Sequence, residues 1–114
     1  MKLSWYRGSA TSERLLRLFK LLAKLVAAGF KVIRDPILGQ VKYRDKVFDT
    51  NYLNWLVGNG FVITVGFGDD NTDAAARKRI EGYCPGRDVH IIEMLASWYD
   101  GGGVHCHTND QPAL

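Results

Sequence analysis

Residues 101–112 read GGGVHCHTNDQP and place a thiol between two imidazoles. Cys106 is a nucleophile in its thiolate form. Gly101, Gly102 and Gly103 precede it and let the backbone approach a ligand with no side chain in the way. A plainer reading makes the glycines a flexible turn and Cys106 a small buried hydrophobe. A metal is a third reading. His105 and His107 on one strand would have Cβ atoms roughly 6 to 7 Å apart, and a divalent ion would need a further ligand such as Asp110. That spacing is common by chance and such histidines are more often surface or hydrogen-bonded residues, so neither metal nor cofactor is expected.

GVHCHT reads as a strand. Successive side chains then point to opposite faces, so His105 and His107 share one face and Cys106 takes the other. Neither neighbour is placed to deprotonate the thiol. The remaining imidazole, His90, lies in DVHII with Asp88 and Ile92 on its face and is the candidate base. Asp100, just before the glycines, is a candidate to face a pocket, whereas Asp73 serves a helix start and Asp69 a turn.

The elements that must position these residues follow from pattern. Thr11 or Ser12 caps a helix whose apolar positions Leu15, Leu18, Phe19, Leu22, Leu25 and Val26 recur at spacings of three and four. Gly29 ends it. FKVIR predicts a short strand stopped by Asp35 and Pro36, and ILGQVKY a weaker one around Gly39. In NYLNWLVGNGFVITV, two β-rich runs flank Asn59 and Gly60, a dipeptide suited to the positive φ angles of a tight primed turn. DAAARKRIEGY predicts a helix with Thr72 or Asn71 as cap. RDVHII is a strand and EMLASWY a short helical turn. The order suggests a ββαβ unit used about twice: an α/β fold with mixed sheet and helices packed on it.

The chain has 114 residues, 46% hydrophobic and 24% charged, as expected of one compact soluble domain. The stretch LLRLFKLLAKLVAAGF is broken by Arg17, Lys20 and Lys24 and cannot cross a bilayer. It also starts too late, without a small-residue cleavage site, to be a secretory signal. A cytoplasmic location, no membrane partner and reduced Cys84 and Cys106 are expected. The net charge is +3, yet residues 1–34 carry eight basic side chains against Glu13 alone. Arg14, Arg17, Lys20 and Lys24 lie on the side opposite the apolar positions, Phe19 included, with no aromatic stacking residue on the charged face, so a solvated face is favoured over a nucleic-acid surface.

From Asn51 to Pro112 the chain resembles the C-terminal part of the agmatine deiminase and bacterial peptidylarginine deiminase family, of the pentein superfamily. The resemblance is carried by YLNW, the Asn-Gly hairpin, FGD before a helix with Asp73 and Ala74, CPGRDV before a strand, and GGGVHC followed by Thr108. It implies a truncated pentein-like fold, taken from a five-bladed propeller of ββαβ repeats around a central site. It implies Cys106 as the nucleophile that attacks the guanidinium carbon of an arginine-like substrate. Ammonia or an amine then departs, and water resolves a thiouronium to a ureido product. Gly102, Gly103, Asp100 and Asn109 are then the candidate substrate-binding residues.

The family's catalytic histidine and guanidinium-clamping carboxylates lie upstream of the matched region, and no HxD or HxE occurs here. His107, Asn109 and Asp110 also depart from the pattern next to the cysteine. The foremost expectation is a catalytically incomplete deiminase relative that binds a guanidinium-bearing ligand or a protein partner. The alternatives are a small hydrolase whose site is completed by homo-oligomerisation through exposed sheet edges, and a basic module contacting nucleic acid.

Overall fold

The computed structural model describes residues 12–37 and 39–112. They form two compact units, one up to Ile37 and one from residue 38 onward. In the first unit, helix α1 spans Ser12–Ala27. Thr11, the other capping candidate, lies outside the described residues, as do the basic Lys2 and Arg7. Leu15, Leu18, Leu22 and Leu25 are half-buried, while Phe19 and Val26 are exposed. Gly29 ends the helix as expected: its φ is 85°, its N–H bonds the Val26 carbonyl, and Phe30 N–H bonds that of Leu25. These are the two bonds of a Schellman motif.

The strand expected at FKVIR does not form. Residues 30–37 have no regular structure, and Phe30 and Ile33 are 64% and 49% exposed. A strand exists only with a ladder partner, and among the described residues none pairs with this segment.

The second unit opens with a hairpin of β1, Gln40–Tyr43, and β2, Lys46–Asp49. β3, Leu56–Gly58, and β4, Phe61–Gly66, form a second hairpin, followed by α2, Asp70–Tyr83, and β5, Asp88–Glu93. This is the expected ββαβ run. The sheet order is β3-β4-β5, antiparallel then parallel. Of the Asn59-Gly60 pair only Gly60 has positive φ, 83°, so the turn is not the primed type in which both central residues do.

β4 lies in the middle of the sheet and is buried almost throughout from Val62 to Gly66. Val62, Val65, Val89, Ala76 and Ile80 join Tyr52 and Phe67 in one core cluster. Each fully buried large side chain there contributes about 1.5 to 3 kcal/mol. α2 is capped by Asp69, not by Thr72 or Asn71: its carboxylate accepts from the N–H groups of Asn71 and Thr72 at 3.1 and 3.0 Å. Asp69 has extended φ and ψ, the geometry a cap requires. Among the described residues no helix is long and apolar enough to cross a membrane.

Candidate active site

The cysteine is delivered by a short helix and a glycine-ended turn. α3, Leu95–Tyr99, starts with Glu93 Oε1 accepting from Leu95 N–H at 2.9 Å. It ends at Gly101, φ 112°, where Gly101 N–H bonds the Trp98 carbonyl and Gly102 N–H that of Ser97. This is the Schellman pattern again. Ser97 Oγ donates to the Gly102 carbonyl at 2.9 Å.

The chain then forms a 3-10 turn, His105–His107, instead of the expected strand. The donors explain why. His105 N–H bonds the Asn54 carbonyl, while His107 and Thr108 N–H bond the carbonyls of Val104 and His105. Cys106 N–H bonds Asn54 Oδ1 at 3.2 Å. All four amides are satisfied without a neighbouring strand. With three residues per turn, successive side chains are about 120° apart, so His105 and His107 do not share a face as strand alternation predicts.

Asn54 holds the thiol from both ends of its amide. While Oδ1 takes the Cys106 N–H, Nδ2 donates to Cys106 Sγ at 2.8 Å. The cysteine itself is exposed, which excludes the reading of a buried hydrophobe. Two glycines make this approach possible. A Cβ on Gly102 would lie 2.9 Å from Cys106 Cβ and 3.0 Å from His107 Cε1; one on Gly103 would lie 2.8 Å from Trp98 and 3.0 Å from Asn54. Both glycines are buried, so they serve close packing beneath the thiol.

Aromatic rings carry this packing into the core. Trp98 meets Phe67 edge to face, and Phe67 meets Tyr52 likewise, at centroid distances of 5.4 and 5.2 Å. Tyr52 Oη donates to Asp73 Oδ1 at 2.7 Å, and the same oxygen accepts from Phe67 N–H at 3.1 Å. Asp73 therefore turns inward to tie this network, in addition to lying in the first turn of α2. Burial holds the Tyr52 phenol well above its ordinary value, and the Asp73 carboxylate adds to the effect.

The β1–β2 hairpin grips the last residue of α3. Tyr99 Oη donates to Asp45 at 2.6 Å, and Lys46 Nζ lies 4.3 Å from the Tyr99 ring centroid. That hydrogen bond lowers the Asp45 carboxyl and raises the Tyr99 phenol from their ordinary values. Arg44 occupies the hairpin tip at φ 55°, unusual for a side chain of its size. Its guanidinium stacks on Tyr43 and Tyr99 at 5.4 and 5.1 Å.

The other residues singled out from sequence fall in different places. No hydrogen bond joins His90 to Cys106; its ring lies on the exposed face of β5 and lines a concavity with Phe61, Ile63 and Arg77. His107 Nδ1 is 2.7 Å from the Gly103 carbonyl. Asp100 and Asn109 are exposed, and no described contact ties either side chain to the thiol. Among the described residues no three His, Cys, Asp or Glu side chains are grouped to hold a metal. Pattern reading missed Asn54 and Ser97. The available signal was an amide in a largely apolar run, since a polar group there needs hydrogen-bond partners.

Comparison with known proteins agrees with this chain path. A Streptomyces avermitilis relative is 36% identical over 101 residues, 89% of this chain and 29% of that one. The agmatine deiminase of Pseudomonas putida strain F1 is 38% identical over 63 residues, 55% of this chain and 17% of that one. The Campylobacter jejuni agmatine deiminase structure has the same fold over 87% of this chain and 30% of its own, with a TM-score of 0.62 and 23% identity. The chain spans less than a third of the length of the curated relatives it matches. The family model described as Porphyromonas-type peptidyl-arginine deiminase matches residues 5–112, and with nearly the whole chain covered, this protein belongs to that family.

Proposed function

We propose that this chain is a deiminase-related protein, catalytically incomplete as a single chain, which binds a guanidinium-bearing small molecule against Cys106. One observation carries the reading. The sulfur is exposed and held by the Asn54 amide, while no imidazole or carboxylate among the described residues hydrogen-bonds it.

In the chemistry of the family, sulfur adds to the planar guanidinium carbon and the C–N bond to the departing nitrogen breaks. A proton must reach that nitrogen so that it leaves as ammonia. Water then adds to the thiouronium carbon, the C–S bond breaks, and a ureido product and the thiol are released. The first step needs a positioned nucleophile, which Cys106 and Asn54 supply. Proton delivery needs an acid within hydrogen-bond reach, and a planar cation needs carboxylates in fixed geometry. His107 is engaged with Gly103, and His90 faces another surface. Free thiols at Cys84 and Cys106 suit the reducing cytoplasm.

Turnover and labelling test this together. Agmatine, arginine and an arginyl peptide are expected to yield no ammonia. A chloroacetamidine, cationic and planar like a guanidinium, is expected to label Cys106 faster than neutral chloroacetamide, and excess agmatine to slow it. Ammonia release by the isolated chain, absent in Cys106→Ser, would refute incompleteness; a specific rate rising with chain concentration would favour a site completed by a second copy. Equal labelling by both reagents, with no protection by agmatine, would refute the binding claim.

A further inference from the structure

None of the side chains of α1 is buried. At roughly 100° per residue, its apolar half runs from Leu25 through Leu22, Val26 and Phe19 to Leu16, interrupted only by Ser12 in the first turn. Leu16, Phe19 and Val26 are 54%, 45% and 61% exposed. Lys20, Lys24, Arg17 and Arg14 lie on the other half, beside Glu13 and Leu21. Lys20 and Arg14 border the apolar half on its two sides. Glu13 pairs with Arg17 at 2.6 Å, and no described residue pairs with Arg14, Lys20 or Lys24. Beyond Gly29, Phe30, Ile33 and Ile37 are also exposed, with Lys31 and Arg34 between them.

We propose that α1, with residues 30–37, lies flat on an anionic lipid surface, its apolar half at the acyl boundary and its basic side chains reaching the headgroup phosphates. Its 16 residues rise about 24 Å, short of the roughly 30 Å hydrocarbon core. The expectation of no membrane partner rests on the charges that forbid a span. Those same charges suit the interface, where long basic side chains bend toward the headgroups. Charge selects lipid over the other occupants. A second copy would set two helices side by side, each with four basic residues against Glu13 alone, and paired helices favour opposite charges beside the seam. A nucleic-acid backbone would take the basic half and leave the apolar half in water. A groove on a protein takes a narrow stripe of anchors in one register. Here half of the helix and the irregular segment after it are both exposed, and a lipid surface, which has no register, accepts both. The proposal stands apart from the thiol chemistry and requires no turnover.

Flotation of the full chain with lipid vesicles tests it. Binding is expected to vesicles of phosphatidylcholine and phosphatidylglycerol in equal parts, not to phosphatidylcholine alone, and is expected to fall about tenfold or more between about 50 and about 300 mM salt. Lys20→Gln with Lys24→Gln removes two cations, keeps good helix formers, and is expected to weaken binding about twenty-fivefold, roughly fivefold per charge. Leu16→Gln with Phe19→Gln keeps every charge and is expected to weaken it about tenfold or more. Circular dichroism checks that each variant is folded; should the apolar pair unfold, the lysine pair and the salt series decide. No flotation at low salt would overturn the proposal, as would equal binding to both vesicles. Binding indifferent to the folded Leu16→Gln and Phe19→Gln pair would reduce it to adsorption by charge and overturn it too. Retention on duplex DNA, or a dimer in sedimentation equilibrium, without flotation would assign the surface to nucleic acid or to a second copy instead.

Discussion

The ends of α1 and α3 use the same backbone device and lead to different outcomes. At Gly29 and at Gly101 a positive φ lets two successive N–H groups bond back to the last turn of the helix. After Gly29 the chain runs into residues 30–37, apolar in part, exposed except at the half-buried Asp35, and without a ladder partner among the described residues. After Gly101 it runs beneath Trp98 and against Asn54, which together leave the Cys106 sulfur at the surface in one position. A helix stop is thus a local event, whereas the path of the chain beyond it depends on whether a packed surface waits there. The aromatic series Trp98, Phe67 and Tyr52, tied by Asp73, is that surface for the cysteine.

The largest way to break the contrast is to remove the tie. Asp73→Ala leaves the Tyr52 hydroxyl and the Phe67 amide without their shared acceptor and is expected to cost about 2 to 4 kcal/mol in chemical denaturation. Cys106 should then alkylate at a rate insensitive to Asn54→Ala, because the platform beneath both is lost. Next, Gly103→Ala drives a methyl against Trp98 and Asn54 and is expected to cost about 1 to 3 kcal/mol.

Alkali acts on the same tie. The folded state favours the neutral Tyr52 phenol, whose value is raised. Its contribution is therefore complete below the unfolded value of about 10 and is lost as pH rises through the folded one. Denaturation midpoints measured from pH 8 upward should fall more steeply above about pH 10 in the parent than in Tyr52→Phe.

The smallest effects sharpen the comparison directly. Gly101→Ala and Gly29→Ala each force a side chain into a positive φ, at about 1 kcal/mol apiece. Only the first should change the rate at which iodoacetamide modifies Cys106. Equal rates in both variants would mean that the turn after α3 does not position the thiol.

Much of the local structure is legible in the sequence, and the reasons for success and failure are specific. α1 announces itself by its repeat of leucines and its terminal glycine, and the ββαβ run by its alternating β-rich segments around Asn59 and Gly60. The cap of α2 escapes a reading by residue type because Asp69, Asn71 and Thr72 are all good cap residues. Only the extended backbone at Asp69 separates them. β2 has four residues, KVFD, of which only Phe48 is even half-buried, so no hydrophobic alternation marks it.

At the site, the sequence by itself determined which chemistry is present: a thiol, preceded by glycines, in an order of motifs shared with the deiminases. It also settled which elements could form, because helix periodicity and turn chemistry are properties of neighbouring residues. Tertiary structure alone decided that GVHCHT is a turn, that Asp73 faces inward, and that Asn54, fifty-two positions before Cys106, takes hold of its sulfur. A strand needs a partner and a buried donor needs an acceptor, and both are supplied by residues far away in the chain, whose identity no local pattern contains.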